Sequence, residues 1–365
     1  IGDSLTEEYI IKEFQSYGLI PKGDDGYKQR FGFVSEVKLG SKNSFSLMLN
    51  DVKIDYIPDV DFIPLGISSV GKAKGEMVFV GYGINAPELN YNDFKDVDLK
   101  DKIAVILRYI PGHKNRHNNP FSKYERTRTK YISAKDAGAK GIILVTGPEN
   151  DSEDVLLKLR ADRSSISDRI PVLHVKRNII EKVFESNGKS LIEVQKQIDS
   201  TKSPNSFCLK YASATFESDF YQIKSNTANI IGFLEGKDPS LKNEVVVIGA
   251  HMDHLGDGMK YGSLNEKREP AIHNGADDNA SGTAGVLELA EKFAADKKNL
   301  KRSFLFMLFG AEEAGLIGSA YFTKSDLFKN FNIVTMINMD MIGRLNENKL
   351  IVNGSGTSSI WKTLL

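Results

Sequence analysis

Histidine and acidic residues recur in four short patches between Val245 and Arg344, each at the end of an apolar run. The patches are VVVIGAHMDHLG (245–256), HNGADDNASG (273–282), FLFMLFGAEEAGLIGS (304–319) and MINMDMIGR (336–344). Carboxylates gathered at one place repel one another and are costly to desolvate. A divalent cation removes that conflict, and one imidazole with several carboxylates suits zinc and is also compatible with manganese or cobalt. The patches therefore predict a metal site.

The elements that must position these residues are three buried strands. The runs 245–248, 304–309 and 333–337 are apolar without polar alternation, which is typical of strands covered on both faces. Open α/β sheets place their ligands at the carboxyl ends of such strands. We therefore predict an α/β fold with a mixed, mostly parallel sheet flanked by helices. The residues that directly follow the three runs are His251, Asp253, Glu312, Glu313 and Asp340, and Asp277 and Asp278 lie in a turn before a predicted helix.

In this order, the patches resemble the aminopeptidase Y and bacterial leucyl aminopeptidase family of di-zinc exopeptidases. The resemblance implies that two metals share a water and that a glutamate accepts its proton. The roles that it implies are first-metal ligands at His251 and Asp340, a bridging ligand at Asp278, a second-metal ligand at Glu313, a general base at Glu312, and Asp253 as the carboxylate that orients His251. Asp277 is interpreted as a turn or supporting residue, His254 as structural and His273 as lining the cleft.

One histidine of the family pattern has no counterpart in this sequence. The family has a further second-metal ligand well after the position of Asp340, whereas all six histidines of this chain precede it. The chain also begins at Ile1 without methionine and stops at Leu365. We therefore expect a fragment, or a partly ordered chain, that lacks both ends of the natural protein, including the C-terminal part of the fold. It should bind one metal well and the second weakly or not at all.

A second domain is predicted in the first half of the chain. Residues 66–205 alternate strand-like and helix-like segments in a pattern that resembles a protease-associated (PA) domain. The predicted organisation is a first peptidase segment over 1–65, an inserted β-rich α+β PA domain over 66–205, and a second peptidase segment over 206–365 that carries the metal site and is incomplete at its C-terminus.

Composition excludes several other classes of protein. Lys+Arg and Asp+Glu both number 48, so the net charge of zero argues against a general nucleic-acid or membrane-surface role. A single cysteine, Cys208, permits no internal disulfide. No apolar run approaches about 18 residues, so no membrane span is predicted. Related proteins with this arrangement are often exported, which favours a periplasmic or extracellular location. The sequence does not indicate an oligomeric state.

The leading functional prediction is a metal-dependent aminopeptidase that removes N-terminal residues from peptide substrates. One alternative is a glutamate-carboxypeptidase-like exopeptidase, in which the basic stretch 114–130 would bind a substrate carboxylate. The other is a non-catalytic receptor or binding protein of the same architecture, and the chain as given would itself be inactive if the second metal were missing.

Overall fold

The computed structural model describes residues 2–162, 167–259, 269–345 and 347–364. The strands are β1 Ile20–Pro21, β2 Lys28–Leu39, β3 Ser44–Leu49, β4 Val52–Tyr56, β5 Phe62–Pro64, β6 Gly71–Phe79, β7 Asn85–Ala86, β8 Tyr91–Asn92, β9 Ile103–Leu107, β10 Gly141–Val145, β11 Val172–Val175, β12 Phe207–Ser218, β13 Phe220–Leu234, β14 Glu244–His251, β15 Ser303–Phe309 and β16 Asn332–Asn338. The α-helices are α1 Gly2–Ser16, α2 Thr127–Asp136, α3 Arg177–Ser186, α4 Leu191–Thr201, α5 Gly282–Ala295, α6 Ile317–Lys324, α7 Asp326–Lys329 and α8 Trp361–Leu364. Within these ranges, no helix combines the length and apolar character needed to cross a bilayer.

The chain divides into two compact units. The first contains residues 1–33 and 224–365, and the second contains residues 34–223. This division differs from the boundaries near 66 and 205 that were predicted from the sequence. The reason is strand pairing, because β3 pairs with both β4 and β12, and β12 pairs with β6. The segments on either side of 66–205 therefore complete the sheet of the second unit.

The sheet of the first unit has the strand order β1-β13-β15-β14-β16, with β2 also paired to β13. β14 is parallel to both β15 and β16, whereas β13 is antiparallel to β15 and β1. The predicted mixed α/β sheet is therefore confirmed, and its parallel part is formed by β14, β15 and β16. Val245 lies opposite both Ser303 and Ile333, so the carboxyl ends of these three strands lie at one edge.

Both faces of the first sheet are covered by helices. Ile10 and Phe14 of α1 and Val286 of α5 pack with Phe306 on one face. Phe322 of α6 packs with the alternate strand residues on the other face. The exception is β16, which has no further strand beside it in the described chain. Its Val334, Met336 and Ile337 side chains remain exposed.

The second unit has an eight-stranded sheet in the order β4-β3-β12-β6-β9-β10-β11-β5. Its β6, β9, β10 and β11 are mutually parallel, and every residue of β9 and β10 is buried. α3 and α4 contribute to the core on one face and α2 to the core on the other. β3 and β4 form a hairpin whose turn residues, Asn50 and Asp51, both have positive φ. Asn and Asp are the residues that tolerate such a turn at the least steric cost.

A buried histidine in the second unit is held in its neutral form. The Nδ1 atom of His174 accepts a hydrogen bond from the Leu157 amide at 3.2 Å, and Nε2 lies 3.1 Å from the Thr146 hydroxyl. Burial, with Arg108 and Lys176 nearby, lowers the pKa of His174 from 6.5 to about 3. Protonation would remove the acceptor at Nδ1, so the unfolded chain binds this proton more readily than the folded chain.

Acidification should therefore destabilise the second unit through His174. The stabilisation that comes from keeping His174 neutral is fully present above pH 6.5 and is lost as the pH falls towards 3. Over this range the free energy of unfolding falls by about 1.4 kcal/mol per pH unit. Hydrogen exchange of peptides from residues 34–223, corrected for intrinsic rates at each pH, measures this slope. Carboxylates titrate equally in the wild type and in His174→Gln, so the difference between the two slopes gives the effect of His174 alone. Equal slopes in the two proteins would contradict the assignment.

Candidate metal centre

His251 is the last residue of β14, and its ring is almost fully buried. Its Nδ1 atom lies 3.0 Å from the backbone carbonyl oxygen of Asp253, which fixes the ring with Nε2 facing the carboxylates. Thr283, at the start of α5, donates its hydroxyl to the His251 carbonyl. The strand end is thereby tied to the helix that follows the second patch.

Asp278 lies in a tight turn, Ala276–Ser281, that leads into α5. The turn is anchored by the buried Asn279, whose amide nitrogen donates to the Met339 carbonyl at 3.0 Å and whose carbonyl oxygen accepts from the Gly282 amide. A Cβ at Gly282 would collide with the same Met339 carbonyl, so only glycine permits this approach. Asn279 therefore fixes the position of Asp278 relative to the segment that carries Asp340.

The Glu312–Glu313 pair follows β15 and is held in place by Asp253. The Asp253 carboxylate accepts the backbone amides of Glu312 at 2.8 Å and of Glu313 at 3.2 Å. It lies 3.9 Å from Nδ1 of His251. Asp253 therefore lies next to His251 through both its backbone carbonyl and its carboxylate, and the orientation of His251 by that carboxylate stays a prediction. The carboxylate also positions the glutamate pair through its two hydrogen bonds with their backbone amides.

The first group of metal-ligating side chains consists of His251, Asp278 and Asp340. Nε2 of His251 lies 3.2 Å from Oδ1 of Asp278 and 3.6 Å from Oδ1 of Asp340. Glu312 is next to this group, with Oε2 3.9 Å from the same nitrogen. The donor atoms of the group lie within 4.8 Å of one another, so they can reach one cation.

A second group consists of His254, Asp278 and Glu313. Nδ1 of His254 lies 2.7 Å from Oε1 of Glu313 and 4.0 Å from Oδ1 of Asp278. The two groups of ligating side chains share Asp278. All six site residues predicted from the sequence lie in or next to these groups, and His254 joins them.

The electrostatics of the centre are dominated by close carboxylates. Burial raises the pKa of Glu312, and Glu313, Asp253 and Asp340 raise it further against the opposing effect of His251. Burial also raises the pKa of Asp253. For His251, burial works to lower the pKa, but Glu312 and the other neighbouring acceptors outweigh it and raise the pKa overall. The centre thus concentrates negative charge that a divalent cation would balance.

A cleft of ≈ 550 Å³ opens beside the second group and is lined by His254, Asp278 and Arg344, among other residues. Arg344 donates to Asp277 at 2.7 Å, and this contact holds the pKa of Asp277 below its usual range. The Gly343 amide also donates to Asp277. Asp277 therefore joins the turn to the segment 343–344, in keeping with its interpretation as a turn or supporting residue.

The donor set fits a resident metal. Each group offers one imidazole nitrogen and two carboxylates, which are normal zinc ligands. Nδ1 of His254 and Oε1 of Glu313 are buried, and neither makes a hydrogen bond of acceptable geometry. Unsatisfied buried donors and acceptors are costly, and a cation between them removes that cost.

Comparison with known families identifies both parts of the chain. Residues 229–365 match peptidase family M28, and residues 73–183 match the PA domain. The segment that carries the four patches is therefore an M28 peptidase segment, and the first half of the chain contains a PA domain. The resemblance stated from the four patches is therefore confirmed, and the M28 match covers all four.

The chain spans only part of the length of the relatives named here. It is 31% identical over 140 residues to "Aminopeptidase" of Pseudomonas aeruginosa (strain UCBPP-PA14), covering 38% of this chain and 22% of the relative. It is 25% identical over 307 residues to "Aminopeptidase YwaD" of Bacillus subtilis (strain 168), covering 80% of this chain and 53% of the relative. The solved "Aminopeptidase from Aneurinibacillus sp. strain AM-1" is 22% identical with a TM-score of 0.51, covering 92% of this chain and 64% of that one. That likeness shows the fold.

Two residues at the candidate metal centre had no predicted part in metal binding. His254 was interpreted as structural, and Asn279 was given no role. The signal for His254 was its place three residues after His251 in HMDH, on the far side of the anchoring Asp253. No sequence pattern predicted the contact of Asn279 with Met339, because the two residues are separated by three helices and two strands.

Proposed function

We propose that this chain forms the metal centre of a metal-dependent aminopeptidase that hydrolyses N-terminal residues from peptides. The observation that carries the proposal is Asp278, which belongs to two groups of ligating side chains, with the carboxylate of Glu312 beside them. Two cation positions around one shared carboxylate are typical of hydrolases that act with paired metals.

We assign the metals as two zinc ions. The first would be bound by His251, Asp278 and Asp340, and the second by Asp278 and Glu313. One imidazole and two carboxylates per ion suit zinc, and cobalt or manganese can replace it. When bound, the metal pair would supply Lewis acidity that lowers the pKa of water and polarises a carbonyl.

Glu312 is assigned as the general base. Its side chain belongs to neither group of ligating atoms, but Oε2 lies 3.9 Å from the imidazole that faces them. It can accept a proton from the attacking water and give it to the leaving amine. Asp253 keeps Glu312 in this position by accepting its backbone amide, so Asp253 is a positioning residue.

The carboxypeptidase alternative is not favoured. It required free cations in the basic stretch 114–130 to bind a substrate carboxylate. Lys130 is buried and donates to the Tyr82 carbonyl, while Lys123 and Lys114 pair with Glu88 and Glu149. The two curated relatives named above are both called aminopeptidases. An exported location is not tested by these observations and stays a prediction.

A blocked-terminus assay tests the proposal. The full natural polypeptide, loaded with zinc, is given leucine p-nitroanilide with a free or an acetylated α-amino group, and short peptides with a free or an amidated C-terminus. We expect hydrolysis that requires the free amino group, tolerates the amide and is lost on dialysis against a chelator. Re-addition of zinc should restore it.

Two outcomes would contradict the assignment. Cleavage that requires a free C-terminal carboxylate would support the carboxypeptidase alternative. Tight zinc binding without hydrolysis of any of these substrates would favour the non-catalytic binding protein.

A further inference from the structure

The loop 310–318, which carries the glutamate pair between β15 and α6, has a closed base. The Gly318 amide donates to the Gly310 carbonyl at 3.1 Å, so the first and last residues of the loop are joined. Ala311 and Leu316, just inside these ends, have left-handed backbone with φ of 54° and 60°. Residues other than glycine adopt this conformation at a cost and keep it only where surrounding contacts hold them. The shape of the loop therefore depends on contacts at its base.

Asn229 of β13 bonds to both ends of this loop, and its side chain is fully buried. Its side-chain oxygen accepts the Gly310 amide at 3.2 Å, and its side-chain nitrogen donates to the Gly318 carbonyl at 2.9 Å. The same nitrogen donates to the side-chain oxygen of Gln29, whose own nitrogen donates to Ser325. The base of the loop is thereby anchored to β2 and to the residue that follows α6.

The loop base is packed too closely to admit a side chain at position 318. A Cβ at Gly318 would lie 2.3 Å from the side-chain oxygen of Asn229 and 2.4 Å from the Gly310 carbonyl oxygen. Only glycine permits this approach. A methyl group there would force the base apart, so the same contact can be opened without altering Asn229.

We propose that Asn229 is a positioning residue for Glu312. The inference rests on the proposed function and deepens it, because it names a residue outside both groups of ligating side chains on which the general base depends. Asp253 holds the middle of the loop by accepting the Glu312 amide, and Asn229 holds its two ends. Together they fix the Glu312 carboxylate beside the His251 ring, 3.9 Å from its Nε2.

Steady-state hydrolysis of leucine p-nitroanilide by the full natural polypeptide, with zinc in excess, tests this assignment. In Asn229→Ala we expect kcat per folded molecule to fall about 10- to 100-fold, because displacing a reacting group by about 1 Å can cost 100-fold. KM should stay close to the wild-type value, since a misplaced base weakens the transition state and not substrate binding. Circular dichroism gives the folded fraction by which kcat is corrected.

A second variant reaches the same contact from the other side. Gly318→Ala should show a similar loss of kcat, and the double variant Asn229→Ala with Gly318→Ala should lose no more than the worse single variant, because both open one contact. Ile230→Ala is the matched control. Ile230 is the next residue of β13 and is fully buried, but its cluster contains no residue of the loop. This control loses core packing and should keep the wild-type kcat per folded molecule.

The failure of this inference differs from the failure of the proposed function. Wild-type kcat per folded molecule in Asn229→Ala, or a loss in the double variant equal to the product of the single losses, would overturn the inference while the proposed function stands. If Asn229→Ala does not fold, Gly318→Ala decides in the same way. If the wild type does not hydrolyse the nitroanilide or any peptide, the proposed function fails and the inference fails with it.

Discussion

Replacing Glu312 by glutamine is expected to lower kcat by about 10²–10⁴-fold while both metals remain bound. The amide keeps the size and position of the side chain but cannot accept a proton from water. Because Glu312 lies outside both groups of ligating atoms, metal content should not change. The measurement is steady-state hydrolysis of an aminoacyl-nitroanilide together with elemental analysis of the same sample.

The adjacent glutamate supplies the matched control for this experiment. Glu313→Gln removes a ligating oxygen from the second group, so it should weaken the second equivalent of metal and lower activity through that loss. Excess zinc should partly restore the activity of Glu313→Gln and should not change the activity of Glu312→Gln. Unaltered turnover in Glu312→Gln, or loss of metal from it, would show that the two roles have been assigned wrongly.

The largest effect on stability is expected at Lys130, in the second unit. Its side chain is 2% exposed, and its ammonium donates to the Tyr82 carbonyl at 2.5 Å. Burial lowers the pKa of Lys130 to about 7 against the attraction of Asp93 and Glu125, and burial raises the pKa of Asp93 to about 7. Removing the ammonium leaves a buried carbonyl without its donor and Asp93 without its counter-charge. Lys130→Ala should therefore destabilise the second unit by about 3–5 kcal/mol.

Hydrogen exchange of peptides from residues 34–223 measures this loss separately from the first unit. Lys182→Ala is the control, because Lys182 is exposed on α3, and its effect should stay within about 0.5 kcal/mol. The double variant Lys130→Met with Asp93→Asn removes both charges and should recover part of the loss. If Lys130→Ala were as stable as the wild type, the buried ammonium would not contribute to the stability of the second unit.

The sequence predicted the part of the site that strand geometry determines. Apolar runs ending at His251, before Glu312 and before Asp340 predict parallel strands, and parallel strands bring their carboxyl ends to one edge. The register of β14 with β15 and β16 produces this arrangement. Few other contacts are needed to bring the three residues together, so their joint position could be predicted without a structure.

The parts that the sequence did not predict depend on contacts between distant residues. The Asp253 carboxylate bonds to amides 59 and 60 residues away, and this contact places both the glutamate pair and His254. Likewise, nothing in the alternation of β3 and β4 indicates that they pair with β12 rather than with the peptidase sheet. Periodicity predicts the existence of a strand, but it does not identify the neighbour of that strand.

The exposed β16 has a consequence for handling a polypeptide of these 365 residues alone. An unpaired edge presents backbone N–H and C=O groups that can pair with another copy, and its exposed Val334, Met336 and Ile337 add apolar surface to that contact. Concentrated solutions should therefore aggregate by edge-to-edge strand addition. Such stacking would bury the strand that leads directly to Asp340.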